Sequence, residues 1–359
     1  MLILCITLAS MIIISSSNLL CLYLALELQS LSIFILIARK KEIISRVESS
    51  LKYFVLSSIS SGLFLLGSSI LFLNGGSYEI TIFSSDLYFV EKSLILVSLL
   101  FKLAVSPFHF WLPDVYQGSD NKALIVLGTL PKISILGMLI LLAPNNKLVL
   151  IGTILSLIIG SIGAINQIKI KRLLAYSSIV GMGFVLLAIN LYTFEGIEAG
   201  IIYMLIYLIT FTGIIIIIDS TIQEKSNIIE MSNLLGYNGV ILGSISVLIL
   251  SLAGIPPLGG FLAKWFVIAN AINNEFLISS IISIICAMVA GVYYLRLVKI
   301  SYFQHDRLFL VWKKILLKEP QNSYFYGITL GMIIYIILFF LVSPQIIQEI
   351  VHFGLLEIF

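Results

Sequence analysis

Three lysines and one glutamate lie within hydrophobic stretches of the chain, and they are the side chains best suited to chemistry. The lysines are Lys102, Lys132 and Lys264, and the acid is Glu27. A charged group at the centre of a membrane costs roughly 3 kcal/mol even on lenient scales, so such residues mark functional sites by default. A lysine shielded from water can release and recover a proton, and a neighbouring carboxylate titrates together with it. These four side chains therefore predict proton transfer within a membrane.

Each of these charges also has a structural interpretation. Lys132 directly follows a proline near the middle of its segment, where the alternative is a buried lysine paired for stability. Lys102 and Lys264 are closer to helix ends, where a long side chain can extend its ammonium group to the membrane surface. For Glu27, the structural alternative is a role as a counter-ion for one of the lysines. His109, which lies near Pro107, could relay protons or satisfy the backbone of a helix break.

The composition indicates what kind of chain carries these charges. Hydrophobic residues make up 60% of the 359 residues and charged residues 11%, with a mean hydropathy of +1.12. A soluble domain is about 45–50% apolar, so we expect a polytopic membrane protein. The net charge of +3 is too small to indicate nucleic acid binding. The cysteines and histidines have no metal-site spacing, and the glycines form no phosphate-binding loop.

Eleven hydrophobic segments are each near the length of about 20 residues that a helix needs to cross a bilayer. The fourth contains Pro107 after Lys102, and the ninth contains Pro256-Pro257 followed by Gly259-Gly260. Because proline removes a helical hydrogen bond and clashes with the preceding turn, we expect both helices to be broken. The segments are residues 2–16, 19–38, 51–73, 91–111, 122–143, 147–168, 173–193, 196–219, 239–270, 276–300 and 324–343.

The basic residues predict how these segments are oriented. Most lysines and arginines lie in loops that follow even-numbered segments, whereas the loops after odd-numbered segments hold only Lys92 and Lys147. Cytoplasmic or matrix loops carry the excess of positive charge in membrane proteins. The N-terminus is therefore predicted inside and the C-terminus outside.

The two predicted breaks suggest an internal repeat. They lie five segments apart, and this odd offset gives the two surrounding units opposite orientations. Broken helices in corresponding positions of an inverted repeat commonly mark a transport site. We therefore predict an all-α polytopic membrane protein with about 11 transmembrane helices, two inverted five-helix repeats broken near Pro107 and Pro256-Pro257, and a C-terminal helix. Its parts are a first unit over 1–143, a second over 147–300, a basic amphipathic inner-surface segment over 301–323, and a last helix and tail over 324–359.

Motifs from the second to the ninth segment resemble a known family, that of mitochondrial NADH dehydrogenase subunit 2. This resemblance covers most of the chain. The motif around Glu27 and the run from Pro256 to Phe261 favour this family over the related subunits 4 and 5. The motifs are LALELQSL at 24–31, LKYF at 51–54, SSG at 60–62, residues 101–114, PKIS at 131–134, LAYSS at 174–178 and residues 252–265.

The resemblance implies a proton-translocating, antiporter-like subunit of respiratory complex I, an NADH:ubiquinone reductase. It implies no redox chemistry and no cofactor in this chain, with NADH, FMN, iron–sulfur clusters and ubiquinone in partner subunits. By analogy with the family, Glu27 and Lys102 would be the coupled pair of a first half-channel. Lys132 would be the central proton carrier, and Lys264 would belong to a second half-channel. His109 would be a further relay.

The same resemblance implies a place in the mitochondrial inner membrane, with the N-terminus in the matrix and the C-terminus in the intermembrane space. Expected partners are other membrane-arm subunits, including antiporter-like subunit 4, and membrane lipids, but no nucleic acid. Bacterial and plant relatives have three further helices before the region of resemblance; these are either lost here or supplied by a separate chain.

Two departures from the family pattern and two rival functions remain open. Asp120-Asn121-Lys122 stands where the plant pattern has Pro-Thr-Pro, and Val180-Gly181 stands where many relatives carry a histidine. One rival function is a free-standing cation/proton antiporter. The other is a structural scaffold between neighbouring pump subunits.

Overall fold

The protein is built from apolar helices, and no extended sheet occurs among the residues that its computed structural model describes. Those residues are 1–39, 43–75, 77–80, 88–142, 147–221, 227–228, 231–232, 239–303 and 324–356. The helices are α1 (Leu2–Ser15), α2 (Leu19–Ile37), α3 (Ile44–Gly75), α4 (Phe89–Lys102), α5 (Trp111–Gly118), α6 (Asn121–Leu142), α7 (Lys147–Ile165), α8 (Ile170–Asn190), α9 (Phe194–Thr221), α10 (Gly239–Ala253), α11 (Gly259–Asn273), α12 (Leu277–Phe303), α13 (Tyr324–Val342) and α14 (Pro344–Leu356).

The helices have the length and surface of membrane spans. Seven of those described are individually long and apolar enough to cross a bilayer, and α13 with α14, which meet at 93°, make an eighth if the pair is one span. Large apolar side chains such as Leu24, Met288 and Met332 stay exposed on the helix surfaces. Exposed apolar surface of this extent is typical of proteins surrounded by lipid. The predicted class, an all-helical multi-pass membrane protein, is confirmed.

Several predicted boundaries differ from those of the structure. Helix α3 begins at Ile44, not near residue 51, so Arg46 and Lys52 lie within a helix. Their charges are tolerated there because Arg46 forms an ion pair with Asp120, and Lys52 with Asp114. The predicted amphipathic segment 301–323 lies outside the described residues except for its first three, which end α12.

Two short helices were not predicted. Helix α5 follows the first break and tolerates Pro113 because proline fits the first turn of a helix. Helix α14 lies in the segment predicted as a tail, and Pro344 is its first residue, where proline is favoured.

Both predicted breaks are present and end their helices in the same way. Helix α4 stops at Lys102, and Ala104 then takes a positive φ of 58°; α10 stops at Ala253, and Gly254 takes a φ of 78°. The next amide bonds back to a carbonyl in the last turn, over 3.1 Å in the first break and 3.3 Å in the second. This pattern is the Schellman motif, which satisfies carbonyls at a helix end. The Ser106-Pro107 and Pro256-Pro257 peptide bonds that follow are cis.

Helix α8 forms the centre of the protein. Of its most apolar stretch, 94% of the residues are buried. Helix α6, which carries Lys132, and helix α11, which carries Lys264, both pack against α8 and against α9. Helices α8 and α9 therefore lie between two of the predicted site residues.

Candidate functional site

Lys132 is buried in the protein interior and its ammonium group is unpaired. Its side chain is 3% exposed, and its Nζ has no hydrogen-bond partner among the described residues. The ammonium instead lies 5.1 Å from the ring centroid of Tyr207 and 5.8 Å from that of Phe211. At such distances the ring faces attract a cation. Lys132 thus has a weakly stabilising aromatic environment and no fixed counter-ion, which suits a group that gains and loses a proton.

Lys132 and Lys102 share one cavity. It lies where α2, α3, α4 and α6 meet. The volume in which the centre of a water molecule can lie is about 20 Å³. A space of roughly 10–15 Å³ on this measure holds one water. Polar groups of Gln29, Ser30 and Tyr53 line it together with the two lysines. A water here would place a proton donor or acceptor between the two amines.

Glu27 and Lys102 are neighbours but do not form a direct ion pair. Lys102 Nζ donates a hydrogen bond of 3.2 Å to the Leu26 carbonyl, one residue before Glu27. The Glu27 carboxylate accepts a hydrogen bond of 3.3 Å from Ser30 Oγ and acts on Lys102 through its electric field. The structure therefore places the predicted pair in neighbouring positions on α2 and α4 without a direct ion pair.

Lys264 reaches back across the second break to the end of the helix before it. Its Nζ donates to the carbonyls of Leu252 at 2.9 Å and Ala253 at 2.8 Å, and it is 7% exposed. The last carbonyls of a helix have no partner in the helix itself and carry the negative end of its dipole. The ammonium also lies 5.6 Å from the Phe184 ring centroid. Helix α10 thus supplies the stabilisation that a carboxylate would otherwise give.

His109 is buried in the first break, away from the shared cavity. It is 4% exposed, it lies against the backbone of Pro107, and its Nδ1 has no partner among the described residues. Its ring centroid is 6.4 Å from that of Tyr176 on α8. The structure therefore does not bring His109 together with Lys102 and Lys132.

A second cavity lies beside the end of α11 that follows Lys264. It has a volume of about 200 Å³ open to water centres, and it is lined by Glu195, Glu198, Phe266, Asn270 and Gln348. Phe266 and Asn270 belong to α11, as Lys264 does. The cavity therefore provides acidic groups and space for water beside α11, but Lys264 itself does not line it.

The departure at Asp120-Asn121 forms part of a polar network. Asp120 pairs with buried Arg46, and Asn121 Nδ2 donates to Asp219 Oδ1 over 2.9 Å. These contacts join the starts of α3 and α6 to the end of α9. The substituted loop is thus held by its own side chains.

Sequence reasoning missed a group of buried tyrosines, of which Tyr207 lies beside Lys132. Tyr203 and Tyr207 are buried on α9, and Tyr293 and Tyr294 are buried on α12. Aromatic residues at helical spacing in an apolar helix look like ordinary packing residues. The one available signal was the four-residue interval between Tyr203 and Tyr207, which puts both on one face.

Comparisons with known proteins show which proteins this chain is similar to. Residues 16–290 match the family model described as NADH:quinone oxidoreductase/Mrp antiporter, transmembrane. The chain is 38% identical to NADH-ubiquinone oxidoreductase chain 2 of Metridium senile, covering 100% of this chain and 97% of that one. It is 36% identical to NADH-quinone oxidoreductase subunit N of Beijerinckia indica over 83% of this chain, and the match spans 66% of that relative's length. Its fold matches a chain of respiratory complex I from Thermus thermophilus with bound aureothin, with a TM-score of 0.86, 26% identity, and coverage of 97% of this chain and 78% of that one.

Proposed function

The chain belongs to the NADH:quinone oxidoreductase/Mrp antiporter membrane family, and we propose that it is the proton-translocating subunit 2 of respiratory complex I. As part of this NADH:ubiquinone reductase it couples electron transfer in other subunits to proton movement, and it performs no redox chemistry itself. One observation carries this proposal most directly. Lys132 is buried, has no counter-ion among the residues that the structure describes, and shares a water-sized cavity with Lys102.

The four charged residues act in sequence. Glu27 and Lys102 form the first half-channel, in which a proton passing between them changes the field at the shared cavity. Lys132 is the central carrier and exchanges its proton with Lys102 through water in that cavity. Lys264 belongs to the second half-channel and passes its proton toward the acidic cavity at Glu195 and Glu198. His109 assists the first break as a polar residue or a secondary relay.

The two half-channels correspond to two five-span units within an eleven-span chain. Each pair of helices packed together among α1 to α6 has a packed counterpart among α7 to α12; for example, α1 packs on α6 as α7 packs on α12. Isolated β-bridges join Asn18 to Glu79 in the first unit and Lys169 to Asn227 in the second. These parallels support units over 1–143 and 147–300, followed by the segment 301–323 and a last helix and tail over 324–359.

The proposed setting follows from the family and from the basic loops. The chain lies in the mitochondrial inner membrane with its N-terminus in the matrix and its C-terminus in the intermembrane space. Neighbouring membrane-arm subunits, including antiporter-like subunit 4, and lipids are its partners. NADH, FMN, iron–sulfur clusters and ubiquinone bind to other subunits.

Replacement of Lys132 tests the proposed function. Lys132→Ala in the assembled complex should abolish or sharply reduce the number of protons moved per NADH oxidised, because no other described ammonium occupies this position. The measurement is proton uptake and NADH oxidation in the same sealed membranes, with native-gel analysis of assembly.

The outcome separates the proposal from its rivals. A normal proton-to-electron ratio in Lys132→Ala would contradict it. Reduced assembly with a normal ratio in what assembles indicates a scaffold. Cation-dependent transport by vesicles that lack NADH and quinone indicates a free-standing antiporter.

A further inference from the structure

Buried tyrosines occupy the space between Lys132 on α6 and Lys264 on α11. Tyr207 and Tyr203 are 3% and 7% exposed and face this space from α9. Because they are four residues apart, their side chains lie one above the other, with an axial separation of about 6 Å. They form a column along the helix that lies between the two lysines.

Each end of this column lies close to the environment of one lysine. Lys132 Nζ is 5.1 Å from the centroid of the Tyr207 ring. At the other end, the Tyr203 ring lies 5.6 Å from that of Phe184, and Lys264 Nζ is also 5.6 Å from Phe184. Tyr207 is therefore a neighbour of Lys132, and Tyr203 shares a neighbouring ring with Lys264.

Gly181 on α8 provides the room for both tyrosines. A Cβ at this position would lie 3.2 Å from the Tyr207 ring and 3.7 Å from the Tyr203 hydroxyl. A larger side chain would displace the Tyr207 ring from the side of Lys132. The two tyrosines thus occupy the space that a side chain at residue 181 would need.

The Tyr207 hydroxyl of the column is not explained by packing. Tyr207 Oη is buried without a hydrogen-bond partner in the described part of the chain. Ser178 lies near this hydroxyl but forms no hydrogen bond of good geometry with it. A buried hydroxyl without a partner destabilises a protein, so phenylalanine would serve packing better. The Tyr207 hydroxyl therefore points to a role that needs an exchangeable proton.

Resting on the proposed function, we propose that Tyr207 and Tyr203 relay protons between Lys132 and Lys264. The Lys132 ammonium gives a proton to the Tyr207 hydroxyl oxygen, directly or through water, as that hydroxyl passes its own proton toward Tyr203. Tyr203 does the same toward the Lys264 amine, which becomes an ammonium. Each tyrosine ends neutral, Lys132 loses one positive charge and Lys264 gains it.

The test compares proton and electron transfer in the assembled complex with tyrosine variants. Tyr207→Phe keeps the ring beside Lys132 and removes only an unpaired hydroxyl, so assembly should be normal. We expect the protons moved per NADH oxidised to fall to the level of Lys132→Ala, and the double variant Tyr203→Phe/Tyr207→Phe to fall no further. Tyr335→Phe is the matched control, because Tyr335 is exposed on α13, and it should keep the wild-type ratio.

The outcomes distinguish this relay from the function on which it rests. A wild-type ratio in the double tyrosine variant, together with a reduced ratio in Lys132→Ala, overturns the relay and leaves the function standing. A wild-type ratio in Lys132→Ala overturns the function itself. If Tyr207→Phe does not assemble, Tyr203→Phe provides the second test, since it removes the other hydroxyl of the relay. A reduced ratio in Tyr203→Phe supports the relay, and an unchanged ratio overturns it.

Discussion

The two helix breaks are built alike but use their lysines differently. In the first, Lys102 precedes the break and bonds sideways to the Leu26 carbonyl of another helix. The indole of Trp111, from beyond the break, donates to the Phe101 carbonyl over 3.1 Å. In the second break Lys264 itself reaches back from beyond the break and donates to the last carbonyls of α10. A neutral indole thus binds the helix end in one half, and a charged amine does so in the other.

In the first half, the side chain that binds the helix end is not the one proposed to exchange protons. In the second half, Lys264 is proposed to do both. Lys102 is available to respond to Glu27 because Trp111 supplies the donor at the helix end. Deprotonation of Lys264 weakens both of its carbonyl contacts, since a neutral amine is a weaker donor than an ammonium. We therefore expect proton release at Lys264 to loosen the second break, whereas proton release at Lys102 leaves the first break closed.

In the first half of the chain, the position that corresponds to Lys264 is occupied by an acid. Asp114 follows Pro107 by the same number of residues as Lys264 follows Pro257. Asp114 lies in the first turn of α5 and binds Lys52 at 3.1 Å and Arg172 at 3.2 Å. The two halves thus share a backbone design, while the charge at this position has been reversed.

The largest effect expected from this comparison is on replacement of Lys264. Lys264→Met leaves two helix-end carbonyls without their charged donor, and breaking such a buried set costs about 3 kcal/mol or more. The amount of assembled complex on a native gel should fall several-fold, and proton movement should fall with it. Lys102→Met is the control: its carbonyl partner lies within a continuous helix, so assembly should be near normal while proton movement falls. Equal losses of assembly in both variants would contradict the comparison.

The backbone at the two breaks predicts a pair of smaller effects with opposite signs. The left-handed region, which glycine occupies freely, is unfavourable by about 1–2 kcal/mol for a residue with a side chain. Gly254→Ala should therefore lower the melting temperature of the purified complex, and its Cβ would press on Lys264, whose Cδ is 2.8 Å away. Ala104→Gly, at the equivalent point with a φ of 58°, should raise stability by up to about 1 kcal/mol.

The sign of these shifts is the critical result. If both substitutions move the melting temperature in the same direction, the two helix ends are not equivalent. If Gly254→Ala retains the wild-type proton-to-electron ratio despite its shift in stability, Lys264 does not depend on the shape of the break.

Most of the fold was predictable because lipid restricts the sequence so strongly. A span must be apolar over a set length, and prolines within it have few explanations, so the helices and both breaks could be located. The start of α3 could not, because Arg46 lies in its first turn and forms an ion pair with Asp120, which lies far along the chain. The short helix α5 was missed because its eight residues carry too little periodicity to separate it from the break.

The charged residues of the site were predictable, but their partners were not. Lys132 and Lys264 stand out in sequence because a charge within an apolar segment is rare and costly. The contacts that stabilise Lys264 are backbone carbonyls, which every residue has and no sequence pattern reveals. Tyr207 is equally hidden, since only the packing of α6 against α9 places its ring beside Lys132.

The smallest expected effect is on replacement of Trp111 by phenylalanine. The new ring keeps the edge contact with Tyr53, whose centroid lies 5.5 Å away, and only the indole N–H is lost. The Phe101 carbonyl still accepts the 3.0 Å bond from the Ala104 amide, so the cost is one neutral hydrogen bond, about 1 kcal/mol. The melting temperature of the complex should fall slightly while the proton-to-electron ratio stays at the wild-type value. A reduced ratio in Trp111→Phe would mean that the helix end and the proton path are coupled in the first half as well, and the contrast with Lys264 would be lost.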